Sequence, residues 1–197
     1  MLKDASRKNL LSQHFHGNTA AYFIVISCFV LGVVFGGMSV NILSTERCEA
    51  IRGGIISAAP DNAGMMEIFK SAMLDVFVSA GLLWAFGLMM VGAAPIVLFS
   101  VYRGYSTGFT IGFLFRSLGE KGIYSVLLGV APANLFIVFG FLAAAIFAFT
   151  YSLRVARGES SFSDIVPYSL IFLLILMVMI LGAAAEGFVC TPAVPSF

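Results

Sequence analysis

The chain is short of charge. Only 11% of its 197 residues are Asp, Glu, Lys or Arg, where a soluble domain carries roughly a quarter. The eleven basic and ten acidic side chains leave a net charge of +1, so no basic surface exists for a phosphate backbone and nucleic acid is excluded as a partner. Histidine is nearly missing: His14 and His16 are the only two, and they lie in a polar lead with no Cys or carboxylate close by. A solvated lead explains them better than a metal site. Cys28, Cys48 and Cys190 lack metal-ligand spacing, so neither a metal nor another cofactor is expected. Paired carboxylates within an apolar segment, GxSxG, a phosphate-binding glycine loop and HExxH are all absent, which removes the familiar signatures of hydrolases, nucleotide-binding enzymes and zinc peptidases. Tryptophan occurs once against twenty phenylalanines, a composition suited to contact with lipid.

What the chain has is apolar length. It is 60% hydrophobic with a mean hydropathy of +1.01, and several runs exceed the roughly 20 residues that cross a bilayer. The expected fold is an all-α integral membrane protein, a five-helix transmembrane bundle with one broken helix at Pro132. A cytoplasmic lead (1–18) precedes a single polytopic domain (19–190) with spans at about 20–41, 72–91, 95–118, 122–150 and 165–188, and a short tail (191–197) follows. The run from Ala20 to Val40 is too long and uninterrupted for a cleaved signal and reads as a retained first helix. Residues 44–70 form the longest polar connection, with a turn-forming break at 57–64 between helical stretches, and Gly92-Ala93-Ala94-Pro95 ends the second span. Arg103, about 12 Å in from Pro95, is expected to snorkel from one tilted helix; the other reading lays 95–102 along the interface.

Two stretches stand out. In Arg103–Phe113, Gly104, Gly108 and Gly112 recur every four residues and share one helix face, a groove into which another membrane helix can press its backbone. Gly32 and Gly36 form a similar pair in the first span. In Ala131–Asn134, Pro132 withholds an amide from the Leu128 carbonyl, and Asn134 falls about 18 Å from the outer end of its expected helix, where it would make an interhelical hydrogen bond or cap the freed carbonyl. Asp75, Arg116 and Glu186 fall at outer helix ends and form a candidate outer polar cluster that fixes helix register.

Orientation follows basic residues in short loops. With the N-terminus in the cytoplasm, Lys3, Arg7, Lys8, Arg103, Arg154 and Arg157 lie inside, and Arg47, Arg52, Lys70, Arg116 and Lys121 outside. The bias favours N-in, C-out. Cys48 and Cys190 then share the outer face, where two free thiols are expected in preference to a bridge, since nothing brings the first and fifth helices within the ~7 Å a disulfide needs.

Several of these motifs, taken in order, resemble the stage II sporulation protein M family. They are Leu31–Gly37 with Asn41 closing the first helix, Leu83-Trp84, the Arg103–Phe113 run, Pro132-Ala133-Asn134-Leu135, and Ala184–Phe188 with Thr191-Pro192. The resemblance covers roughly residues 10–192 and is closest to the sporulation-type branch. The wider family's His-Gly-x-x-Glu is replaced by Ala133, Asn134 and Ile137, so any role of that motif is not carried over. The resemblance implies a non-enzymatic, multi-pass cell-membrane scaffold that recruits extracytoplasmic peptidoglycan hydrolases, stage II sporulation proteins D and P, for forespore engulfment and septal membrane migration. The residues alone leave open a small permease or channel using the broken fourth helix, and they are compatible with a homo-oligomer.

Overall fold

The computed structural model describes the backbone of residues 2–58, 65–125, 131–160 and 164–193; the side chains of 2–18, 45, 52, 54–58, 65–68, 117–125, 131–134 and 185–193 stand outside that description. A chain this apolar must satisfy its backbone away from water, and a helix does so within a single segment. Among the described residues there are six helices and no strand: α1 (Leu2–Ile42), α2 (Thr45–Ala58), α3 (Met65–Leu88), α4 (Ala93–Ser125), α5 (Ala131–Ala156) and α6 (Ile165–Ala193). Four contain a stretch long and apolar enough to cross a bilayer, namely Thr19–Ile42, Phe69–Leu88, Leu135–Ala156 and Ile165–Ala184. The chain is therefore a multi-pass membrane protein.

The expected bundle of five apolar helices is only partly what is seen. α4 is 33 residues long but is not among the four, because Arg103 and the Gly, Tyr, Ser and Thr residues after it dilute its apolar character. Of the segment expected as one broken span over 122–150, residues 126–130 lie outside the described residues. α4 continues to Ser125 and α5 opens at Ala131, so Pro132 sits in a first helical turn, where a missing amide is no loss. Asn134 falls in the same opening turn of α5, and its side chain lies outside the described residues. The polar connection resolves as α2 and the start of α3.

α5 is the hub. Over half of its apolar window (56%) is buried, against 22–28% in the other three. Phe141, Ala144, Ala145 and Ala148 are fully enclosed, and the alanines let the neighbouring helices approach. α3 and α6 pack on α5 and on each other, while α1 and α4 form a second, tighter pair against it. A turn at Met89–Gly92 joins α3 to α4, with Met89 N–H donating to the Phe86 carbonyl and Gly92 N–H to the Met89 carbonyl, both at 3.1 Å. Ser152 Oγ donates to the same Met89 carbonyl at 2.9 Å, which puts the C-terminal ends of α3 and α5 together. α6 runs back along α5, with Tyr168 beside Tyr151 and Gly182 beside Ile137. α5 ends in a left-handed Gly158 (φ 71°), where Glu159 N–H donates to the Arg154 carbonyl and Gly158 N–H to that of Val155, each at 3.0 Å, a Schellman cap. The outward faces carry Phe23, Leu74, Leu98, Phe139 and Leu170, as surfaces toward acyl chains require.

Candidate functional site

The glycine faces foreseen on two separate spans meet each other. Gly32 and Gly36 of α1 lie against Val101, Tyr105 and Phe109 of α4, while Gly104, Gly108 and Gly112 of α4 lie against Phe29, Val33, Gly37 and Val40 of α1. Residue numbers rise together along both helices, so the pair is parallel. The contact is backbone on backbone. A Cβ at Gly36 would overlap the Tyr105 carbonyl and stand 2.8 Å from the Phe109 nitrogen, and one at Gly108 would overlap the Val33 carbonyl. At such separations Cα–H groups contact carbonyl oxygens of the facing helix, and two parallel helices distant in sequence become one rigid unit. Arg116 closes the far end of this seam by donating from Nη1 to the Val40 carbonyl, in the last turn of α1; the same carbonyl also accepts from Leu43 N–H at 3.3 Å. A cation there also favours the negative end of the α1 dipole.

The second feature went unforeseen. Arg103, expected to snorkel, reaches across to α3. Its Nη1 donates to Asp75 Oδ1 at 2.7 Å and its Nη2 to Asp75 Oδ2, the two-pronged geometry that a guanidinium and a carboxylate prefer. Counted from the α3–α4 turn at 1.5 Å per residue, Asp75 is about 20 Å and Arg103 about 15 Å away, close to mid-depth of a ~30 Å hydrocarbon core. A lone charge at that depth costs about 2.5–3.5 kcal/mol on insertion scales, and each ion here offsets the other's cost. The expected cluster of Asp75, Arg116 and Glu186 is thus not assembled as foreseen. Asp75 pairs with Arg103, Arg116 binds a carbonyl of α1, and the Glu186 side chain lies outside the described residues. The signal was in the chain: a hairpin whose turn is at Met89–Gly92 brings Asp75 and Arg103 to similar heights.

At the other end, Trp84 Nε1 donates to Ser169 Oγ at 3.2 Å and Tyr168 Oη to the Trp84 carbonyl at 3.2 Å, tying α3 to α6. Beside them lies an open groove of about 230 Å³ lined by Phe77, Gly81, Trp84, Phe172, Leu173 and Leu176. It offers apolar surface and no reactive group. Among the described residues no group of three or more His, Cys, Asp and Glu could hold a metal ion. Cys28 and Cys48 are free thiols; Pro132, Asn134 and Cys190 have backbones in helices but side chains outside the described residues, as do His14 and His16.

The profile of the family described as stage II sporulation protein M matches residues 24–191. The chain belongs to the stage II sporulation protein M family. The match runs from the apolar part of α1 to the last turns of α6 and so takes in all four apolar helices and both features above. Its motifs acquire places. Leu31–Gly37 and Arg103–Phe113 are the two halves of one seam, Leu83 is enclosed in the core, Trp84 is the α3–α6 tie, and Pro132-Ala133-Asn134 opens α5. Among curated proteins and among solved structures nothing matches the chain.

Proposed function

We propose that this member of the family is a non-enzymatic membrane scaffold of the sporulation-type branch, inserted N-in and C-out, that gathers extracytoplasmic peptidoglycan-remodelling proteins for forespore engulfment and septal membrane migration. The observation that carries the reading is the family match over residues 24–191. In this orientation α4 is a fifth crossing, its charge neutralised by Asp75, and α2 lies on the outer face. There α2 leans mainly on α4 and leaves Glu46, Arg47 and Glu49 exposed, a charged handle for soluble partners. The seam and the ion pair serve to hold the platform rigid. Co-purification from detergent with stage II sporulation proteins D and P tests the scaffold: retention of at least one is expected, and failure to retain either from cells that make them would overturn it.

A further inference from the structure

The Asp75–Arg103 pair is unevenly covered. The arginine side chain is 18% exposed and the aspartate 47%, at a depth where, by the residue count above, acyl chains would surround them and donate no hydrogen bonds. Two of the five guanidinium N–H groups are spent on the carboxylate, and the carboxylate keeps lone pairs beyond the two in use. Exposed side chains flank the pair on both helices. Leu74 and Val78 flank Asp75 on α3, and Tyr102 and Ser106 flank Arg103 on α4, all four exposed. α3 and α4 make few contacts with each other, and these two side chains join them.

We propose that a second copy of this chain covers this α3–α4 face, through a two-fold axis along the membrane normal. Copies of a membrane protein insert in one direction, so a closed dimer about that axis keeps every residue at its own depth. α3 and α4 stand side by side at the height of the pair. The axis therefore sets α3 of one copy against α4 of the other, and Asp75 meets Arg103 across the interface as well as within its own chain. Four charges then alternate around a square, and each exposed carboxylate gains a second guanidinium. An unrelated helix would have to bring its own neutral pair at this depth, whereas a second copy brings one by construction. The proposal is independent of the hydrolase partners above.

Exchange of the two charges within one chain tests it. The double variant Asp75→Arg, Arg103→Asp keeps the pair inside each chain, so its fold is retained, and it keeps the square between two variant copies. Between a variant and a parent copy, however, like charges face each other. Differently tagged parent and variant chains, co-expressed and purified into lipid nanodiscs, are expected to form parent–parent and variant–variant dimers, with mixed dimers several-fold below their statistical share. Val78→Cys and Tyr102→Cys chains, each with Cys28, Cys48 and Cys190 replaced by serine, are expected to cross-link to each other several-fold more than either does to itself. Mixed dimers at the statistical share, or a single parent chain per disc, would overturn the proposal. So would labelling of Asp75→Cys by a membrane-impermeant maleimide, which would mark a water-filled furrow instead.

Discussion

At the scale of single residues, the glycines divide by what faces them. Gly36 and Gly108 have backbone of the opposite helix where a side chain would go, while Gly81 has nothing within 4 Å. Gly108→Leu or Gly36→Leu should lower stability by at least the ~1–3 kcal/mol of ordinary over-packing, since a facing backbone cannot swing aside as a side chain can. Gly81→Ala should be neutral or gain up to about 1 kcal/mol of helix propensity. Thermal unfolding in detergent, following release of α1 from α4, reads both. Gly158→Ala should cost about 1–2 kcal/mol, the strain of a left-handed residue with a Cβ, measured the same way. The four-residue spacing of Gly104, Gly108 and Gly112 was legible in the sequence because helical periodicity is a local property. The partner face, Gly32 and Gly36, was visible as a motif, but its pairing depends on which helices become neighbours, which local pattern does not encode. The Asp75–Arg103 pair is not legible locally either, since it needs the α3–α4 turn to be placed first.

At the scale of the element, α4 is the helix that cannot enter a membrane comfortably by itself. It carries Arg103 with Tyr102, Ser106, Thr107 and Thr110 close by, and it alone of the five longest helices falls short of the apolar requirement. Its partner charge is delivered just beforehand on α3. Insertion of α4 should therefore depend on Asp75. With a glycosylation acceptor placed after Ser125 and translation into microsomes, Asp75→Leu should lower the crossing of α4, and adding Arg103→Leu should restore it. Equal glycosylation in all three chains would mean that α4 inserts without its neighbour. The turn near Gly92–Pro95 and the apolar stretches of α1 and α6 are set by composition, whereas the extension of α1 back to Leu2 through the polar lead is not. The division between α4 and α5 is not set by composition, because a proline in an apolar run signals a kink and a helix start equally.

At the scale of the whole molecule, α1, α4 and α6 point one way and α3 and α5 the other, so the ends of α1 and α6 fall at opposite faces. A cytoplasmic-type reporter fused at the carboxyl terminus should be inactive and an extracytoplasmic-type reporter active; the reverse result would overturn the N-in, C-out arrangement. Replacing Glu46, Arg47 and Glu49 together by alanine should weaken co-purification of the proposed partners and leave unfolding unchanged, since these side chains are exposed and α2 touches the bundle lightly. The α1–α4 seam also sets a schedule for manufacture. α1 is made first, yet the surface that completes it ends at Arg116, some 74 residues after Ile42. At about 5–20 residues per second, the newborn α1 waits in the membrane for roughly 4–15 s with its glycine face uncovered, open to insertion factors or to a stray neighbouring helix, before its own partner arrives.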